Sequence, residues 1–292
     1  MRTKDNTQNN ERAKDKQTNN NPDIQYLEKI VLNACIDAGK YIRENAFNAL
    51  ELKWKKLDDP VTILDKNAEQ QIRKQIGDVV HANFYGEEYG INNQGADVNI
   101  YIDPIDGTKS FARGEFLSSV SIAGDYKGEM FIGVVYDFMR DIVYYATNDG
   151  AFVKTPYNET DKKLPIYNIK LSKPSISFGN TEDKYSALLN NNLPNGIHSR
   201  KQMASVALSM AQLAAGSYDG IIIPPYIKEG ITDTCDIAAG YYIMKQAGIK
   251  IKDYHMNEYD YRNPNHGIVA WNKDLDLGKI IEKYNQSQNI CV

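Results

Sequence analysis

A predicted strand that runs into two aspartates, a proline and a glycine is the feature that most constrains this chain. Residues 100–102 read Ile-Tyr-Ile, which favours β-structure, and residues 103–107 read Asp-Pro-Ile-Asp-Gly. A strand that stops at a proline and a glycine places the intervening side chains on a rigid, sharply turned loop at the edge of a sheet. Asp103 and Asp106 lie three residues apart across this turn, so both carboxylates can face one point.

This pair of acids favours a bound cation. Two carboxylates held close together repel each other unless a cation lies between them. Hard oxygen ligands select Mg²⁺, which takes one or two carboxylates and leaves its other positions to waters and substrate phosphate. Asp, Pro and Gly also occur in ordinary turns, but five fixed positions are expected by chance in only about one in ten thousand chains of this length.

Composition excludes several classes of protein. At 292 residues, the chain has room for one large domain or two modest ones. It has no apolar run near the ~18 residues of a membrane span, and its net charge of −4 argues against broad nucleic-acid binding. Cys35, Cys235 and Cys291 show no C-x-x-C spacing and leave one cysteine unpaired in any disulfide scheme, a pattern that fits a reducing compartment. We therefore expect a cytoplasmic protein with no membrane partner and no direct nucleic-acid partner.

The first part of the chain predicts a polar tail followed by two helices. Residues 1–21 are too polar to offset their ordering entropy and are predicted to be disordered. A helix is predicted from Asn21-Pro22-Asp23 to about Ala46, because an N-cap candidate and a proline precede apolar residues at helical spacing. The second helix is predicted over residues 62–79, with Asp65 in its first turn.

The rest of the chain divides into a β-rich part and an alternating part. Hairpin-like segments over residues 119–153 predict an antiparallel meander, which completes a first α+β half over residues 22–160. Residues 161–292 alternate strand and helix and predict a second half with a mixed sheet. The predicted helices of this half cover residues 203–215, 234–248 and 274–284, and its strands cover residues 218–223, 249–252 and 267–271.

Two further acidic motifs flank the central one. Gly86-Glu87-Glu88 follows a predicted strand over residues 83–85. Asp236 stands near the start of the helix predicted from residue 234, where the positive end of the helix favours an ionised carboxylate. The alanines at 238 and 239 would let this helix pack close to a sheet.

Together, Gly-Glu-Glu at 86–88, Asp-Pro-Ile-Asp-Gly-Thr at 103–108 and Asp-x-Ala-Ala-Gly at 236–240 resemble the signature of the inositol monophosphatase family, which are Mg²⁺-dependent, lithium-sensitive phosphomonoesterases. The likeness covers about residues 22–290. It implies an α/β (α+β) fold of the sugar-phosphatase type, a layered α/β/α/β/α sandwich with the metal site between its halves. Relatives usually have Trp where Cys235 stands, and we expect this cysteine to be a small buried residue.

The resemblance also implies a set of metal ligands. Glu87, Asp103 and the backbone carbonyl of Ile105 would hold one Mg²⁺. Asp103, Asp106 and Asp236 would hold a second, and a third, weaker ion would lie near Glu87. Paired metals of this kind, about 3.5–4 Å apart, clamp the attacking and leaving oxygens of a phosphate ester.

Catalytic roles follow from the same likeness. Glu87 and Thr108 would position and deprotonate the attacking water, and Asp65 would orient Thr108. Backbone N–H groups of Gly107 and Thr108 would bind the phosphate if a helix starts there. Lys56 matches a lysine near the water network of relatives, although Lys53 and Lys55 compete for that place. The predicted substrate-binding residues are Ile105, Asp106, Gly107, Thr108, Glu229 and Asp236.

The substrate itself stays open. Glu229 lies seven residues before Asp236, where inositol-selective relatives carry a Glu that binds ring hydroxyls. Lys109 and Arg113 are more similar to the residues at these places in histidinol-phosphate phosphatases and bisphosphate nucleotidases. Each of these two basic side chains could bind a second phosphate of the substrate or be solvated. We favour a small polyol monophosphate over histidinol phosphate or a 3′(2′),5′-bisphosphate nucleotide. A protein-binding role in transcription or RNA processing, known for some bacterial relatives, is an alternative of another class, and a homodimer is the family expectation.

Overall fold

The computed structural model describes most of the chain between residues 22 and 289. The described ranges are residues 22–46, 52–56, 59–115, 117–167, 173–178, 196, 199–223, 234–272 and 275–289. The predicted tail, residues 1–21, and Glu229 lie outside the described residues. Within these ranges, no helix combines the length and the apolar character needed to span a bilayer.

The described helices agree with the predicted ones to within a few residues at most ends. They are α1 (Ile24–Asn45), α2 (Ile63–Gly77), α3 (Thr108–Ala112), α4 (Val206–Ala215), α5 (Thr234–Gln246) and α6 (Leu277–Asn289). α1 begins two residues later than predicted, because its N-cap is Asp23, whose side chain accepts from the N–H of Tyr26 at 3.1 Å. α4 begins at Val206 instead of Met203 because Ser205 caps it.

Fifteen strands are described, and they form three sheets. They are β1 (Leu52–Lys56), β2 (Asp59–Thr62), β3 (Ala82–Gly86), β4 (Gly90–Asn92), β5 (Val98–Asp106), β6 (Ser119–Tyr126), β7 (Glu129–Asp137), β8 (Ile142–Thr147), β9 (Gly150–Lys154), β10 (Lys162–Lys163), β11 (Ser175–Phe178), β12 (Ser199–Gln202), β13 (Gly220–Ile223), β14 (Lys250–Lys252) and β15 (Ile268–Trp271). The hairpin of β1 and β2 was not predicted. It takes Thr62 out of the second helix, which therefore starts one residue later.

The first sheet has the order β10-β9-β8-β7-β6-β5-β3-β4. The predicted antiparallel meander is confirmed from β6 to β9, and the one parallel pair of this sheet in the described residues is β3 with β5. The short strand β4, which the sequence did not predict, runs antiparallel to β3 and reverses the chain before β5. As a result, β3 and β5 end at the same edge, with Gly86 opposite Ile102.

The second sheet is mixed, as predicted, and has the order β12-β11-β13-β15-β14. β11 is parallel to β12 and β13, whereas β15 is antiparallel to β13 and β14. Its strand faces alternate along β13: Ile221 and Ile223 point to one side and Ile222 to the other. This two-residue period lets one sheet contribute to two cores.

Three buried cores stack between five layers. One lies between helices α1 and α2 and one face of the first sheet. The next lies between the other face of that sheet, helices α4 and α5, and the second sheet. The third lies between the second sheet and α6. The order is therefore helices, sheet, helices, sheet, helix, which confirms the predicted α/β/α/β/α sandwich.

Candidate active site

Glu87 and Asp103 meet because two parallel strands end side by side. Gly86 is the last residue of β3, and the N–H of Glu87 donates to the carbonyl of Ile102 on β5 at 3.2 Å. Glu87 therefore follows β3 at the level where Asp103 continues β5. The charge of Glu87 therefore acts on Asp103 and, after burial, helps to raise its pKa.

A bulge brings Asp106 to the same face as Asp103. In a regular strand, residues three apart point to opposite faces. Here β5 continues through the predicted turn, and Asp103 pairs with Ser121 while Asp106 pairs with Ser119. The three-residue separation on β5 thus pairs with a two-residue separation on β6. The extra residue on β5 is a β-bulge, and it offsets the alternation of side chains between the two faces of the strand. The proline in the motif reads as a turn, but its structural role is this bulge.

The environment of Asp103 is strongly acidic. Its side chain is 2% exposed, and burial is the largest cause that raises its pKa well above the usual range. The charges of Glu87, Asp106 and Asp236 raise the pKa further. Asp236 lies in the first turn of α5. Three carboxylates from the three motifs therefore act electrostatically on Asp103.

Asp106 also binds the start of α4. Its Oδ2 accepts from the hydroxyl of Ser205 at 2.5 Å and from the N–H of Ala207 at 2.6 Å, and its Oδ1 accepts from the N–H of Val206 at 3.2 Å. Burial raises the pKa of Asp106 to about 6, although these three hydrogen bonds act to lower it. The carboxylate therefore joins the first sheet to the helix layer beneath it.

Thr108 lies between the bulge and helix α2. Its hydroxyl is 3.3 Å from Oδ1 of Asp65 and 2.8 Å from the carbonyl of Ile105. Asp65 is fully buried in the first turn of α2, and the N–H of Ile105 donates to Asp103 at 3.0 Å. The structure thus brings together Asp65 and Thr108, which the sequence paired only through the family likeness.

The loop after the bulge turns sharply at Gly107. This residue has φ of 90°, and a Cβ here would lie 2.8 Å from the carbonyl oxygen of Ala204. Helix α3 begins directly after it, at Thr108. The helix start on which the predicted phosphate contacts depend is therefore present.

The remaining candidates lie around this centre or outside the described part of the chain. Lys109 and Arg113 are exposed on and just after α3, and Lys56 ends β1. Cys235 is buried, as expected, and its thiol donates to the carbonyl of Tyr85 at 3.2 Å. Glu229 lies outside the described residues.

The acidic centre suits a hard cation by the kind of donors it contains. All are carboxylate or carbonyl oxygens, which Mg²⁺ prefers. Within the described ranges, no three His, Cys, Asp or Glu side chains are gathered as a ready-made metal site. Burial and the charges of Glu87, Asp106 and Asp236 raise the pKa of Asp103, and Asp106 faces α4. A divalent cation would supply positive charge that offsets these acids. The individual ligand assignments stay predictions.

Two polar residues that contact this centre were missed by the sequence analysis. Ser205 could have been found as an N-cap, because a serine directly precedes the apolar run that begins at Val206. Glu69 is fully buried on α2 and binds the turn that follows Glu87. Its signal is a charged residue four positions after Asp65, on the same face of the helix.

Comparison with known proteins identifies the same family as the sequence motifs. The model of the inositol monophosphatase family matches residues 23–289. A fructose-1,6-bisphosphatase of Pyrococcus furiosus is 28% identical over 197 residues, which cover 67% of this chain and 70% of the relative. A Nus factor SuhB of Pasteurella multocida is 31% identical over 228 residues, covering 76% of this chain and 81% of the relative. The crystal structure of extragenic suppressor protein suhB from Bartonella henselae has the same fold, with a TM-score of 0.74 at 23% identity, covering 88% of this chain and 99% of that one.

Proposed function

Because the chain belongs to the inositol monophosphatase family, we propose that it hydrolyses small phosphate monoesters with Mg²⁺ as its cofactor. Phosphatase activity and dependence on a metal are properties of this family. The observation that carries the proposal is that the charges of Glu87, Asp106 and Asp236 all act on the buried carboxyl group of Asp103. A buried acidic cluster of this kind is costly without a cation, so it favours a metal site over a purely structural one.

The proposed ligands are those that the motifs predict. One Mg²⁺ would be held by Glu87, Asp103 and the carbonyl of Ile105. A second would be held by Asp103, Asp106 and Asp236. A third, weaker ion would lie near Glu87. When bound, Mg²⁺ would neutralise the phosphoryl oxygens and favour the ionisation of a water.

The chain's own groups then orient the reaction. We assign to Glu87 and Thr108 the positioning and deprotonation of the attacking water. The hydroxyl of Thr108 has two acceptors, Asp65 and the carbonyl of Ile105, which restrict its orientation. The N–H groups of Gly107 and Thr108 face the phosphate in this proposal.

A polyol monophosphate, similar to an inositol phosphate, is the proposed substrate class. The family name supports it, and Glu229 is the residue that would bind ring hydroxyls. Lys109 and Arg113 are exposed next to the site, which favours a substrate with a second phosphate as the runner-up. The name of the Pyrococcus relative, a fructose-1,6-bisphosphatase, and the predicted nucleotide bisphosphate alternative fit this second class; histidinol phosphate is the remaining alternative.

A protein-binding role in transcription or RNA processing is the second candidate function. It is supported by the relatives named Nus factor SuhB, among them the one from Pasteurella multocida. Such a role does not require hydrolysis. The cytoplasmic location and the homodimer also stay predictions.

A phosphate-release panel tests the proposal. The purified chain is incubated with inositol 1-phosphate, histidinol phosphate, fructose 1,6-bisphosphate and adenosine 3′,5′-bisphosphate, with Mg²⁺ or with EDTA. We expect release that requires Mg²⁺ and disappears in Asp103→Asn. A sample that is inert toward all four substrates with Mg²⁺ supplied would contradict the enzyme assignment. If Asp103→Asn lacks activity but rescues a cellular phenotype, the protein-binding role is favoured.

A further inference from the structure

Helix α2 carries a stripe of three charged residues that contact Thr108 and the turn after Glu87. Asp65, Glu69 and Arg73 are spaced four residues apart, so they lie one above another on a single face of the helix. Asp65 and Glu69 are 0% exposed, and the side chain of Arg73 is 15% exposed. Because a buried carboxylate is costly unless it is paired and hydrogen-bonded, the partners of Glu69 indicate what it does.

Those partners belong to the turn that carries Glu87. Oε2 of Glu69 accepts from the N–H of Glu88 at 2.7 Å, and Oε1 accepts from the N–H of Tyr89 at 3.3 Å. Oε1 also accepts from Nε of Arg73 at 2.7 Å. Arg73 in turn donates through Nη2 to the carbonyl of Gly90 at 2.6 Å. The ion pair therefore binds three consecutive residues of the β3–β4 turn.

Gly86 provides the space for this ion pair. A Cβ on Gly86 would lie 2.0 Å from Oε1 of Glu69 and 2.6 Å from Nη2 of Arg73. The pair thus rests directly on the backbone of the last residue of β3. The glycine of the Gly-Glu-Glu motif is explained by this close approach.

Glu87 is consequently held from both sides. Its own N–H donates to Ile102 of β5 at 3.2 Å, and the next N–H, that of Glu88, donates to Glu69. One helical turn earlier, Asp65 accepts from the hydroxyl of Thr108. Four helical residues rise by about 6 Å. This rise therefore sets the spacing between Asp65, which binds Thr108, and Glu69, which binds the turn after Glu87.

We propose that Glu69, paired with Arg73, is a positioning residue that fixes the carboxylate of Glu87 relative to Thr108 and to the metal site. This inference rests on the proposed function, in which Glu87 and Thr108 act on the attacking water. Glu69 itself touches neither substrate nor metal. Its effect passes through the backbone of the turn, as for other groups that orient metal ligands.

Glu69→Gln is the central variant. An amide keeps the shape of the side chain but has a single acceptor oxygen, so it cannot serve both backbone N–H groups and Arg73. We expect kcat to fall about 10–100-fold and the Mg²⁺ concentration for half-maximal activity to rise by a similar factor, while the KM for the phosphate ester stays within about twofold. Ile76→Val is the matched control, because Ile76 is fully buried on the same helix and its loss of a methyl group does not touch the turn.

A second readout needs no substrate. Mg²⁺ that binds only the folded chain raises its Tm, and this rise is measured for both variants with Mg²⁺ alone. Glu69→Gln should lose most of the rise, and Ile76→Val should keep it. If Glu69→Gln matches Ile76→Val in kcat, in Mg²⁺ requirement and in this rise, the inference is overturned.

Two further outcomes separate this inference from the proposed function. If Glu69→Gln does not fold, Arg73→Lys takes its place, since lysine keeps the charge but loses the fork that joins Glu69 to Gly90. It should shift the Mg²⁺ requirement in the same direction, and an unchanged requirement overturns the inference. If the unmodified chain releases no phosphate but Glu69→Gln still abolishes the Mg²⁺-dependent rise in Tm, the proposed hydrolysis fails while the positioning role of Glu69 is supported.

Discussion

Replacing Ser205 by alanine measures how strongly Asp106 joins the first sheet to helix α4. The serine hydroxyl donates to Asp106 at 2.5 Å and accepts from the N–H of Leu208 at 3.1 Å. A hydrogen bond to a charged group contributes about 1.5–3 kcal/mol, and an N-cap contributes about 1 kcal/mol. Asp106 keeps the N–H groups of Val206 and Ala207, so its charge is not left bare. We therefore expect a loss of about 2 kcal/mol, somewhat below the sum of the two contributions.

Urea and thermal unfolding of the metal-free chain measure this loss. For a domain of 150–250 residues, about 2 kcal/mol lowers Tm by roughly 4–8 °C. Ser209→Ala is the matched control, since Ser209 is a buried serine of the same helix whose hydroxyl donates to the carbonyl of Ser205 at 2.7 Å. That variant loses one hydrogen bond between neutral groups, about 1 kcal/mol or less. If Ser205→Ala is no more destabilising than Ser209→Ala, Asp106 does not join the layers in the way described.

Three further predictions concern the same centre. Asp65→Asn should lower kcat about 10–100-fold with little change in KM, because Thr108 loses its carboxylate acceptor. Initial rates check this, with Asp78→Asn, an exposed acid directly after the same helix, as the control. Gly107→Ala should destabilise the chain, measured by urea unfolding, by at least about 1 kcal/mol more than Gly95→Ala. Both glycines have positive φ, but a Cβ at Gly107 would lie 2.8 Å from a backbone carbonyl oxygen, whereas a Cβ at Gly95 would meet nothing within 4 Å. The pKa of Asp106 is raised to about 6 from 3.8, so the folded state binds a proton more tightly than the unfolded state. In EDTA, the stability of the unmodified chain relative to Asp106→Asn should therefore rise as the pH falls from 8 to 5. A stability difference that stays flat or falls would contradict this prediction.

Local pattern was sufficient for most helices and for the β-meander. Apolar residues at helical spacing predicted α1 and α2, and alternation with turn residues predicted the hairpin of β6 and β7. The hairpin of β1 and β2 was missed because residues 53–56 read as a basic cluster and Asp59-Pro60 reads as a turn. The parallel pairing of β3 and β5 depends on β4, which is only three residues long and carries no periodic signal.

In the candidate site, too, local motifs were predictable from the sequence and long-range contacts were not. Glu87, Asp103, Asp106 and Asp236 were identified through motifs, because each motif is a short local string. The contacts of Ser205 with Asp106 and of Glu69 with Glu88 join residues 99 and 19 positions apart. No local pattern specifies such pairings, since they follow from which layers the fold places in contact.

Two helix N-termini offset part of the repulsion within the acidic centre. Asp106 receives the free N–H groups at the start of α4, and Asp236 lies in the first turn of α5, where the helix dipole favours negative charge. Both helices belong to the layer between the sheets, whereas Asp103 and Glu87 come from the first sheet and have no helix start of their own. The shortage of positive charge is therefore concentrated at Asp103, where burial and then the charges of Glu87, Asp106 and Asp236 raise the pKa well above the usual range. A cation at this centre would act chiefly there, because the other two acids already have partial compensation.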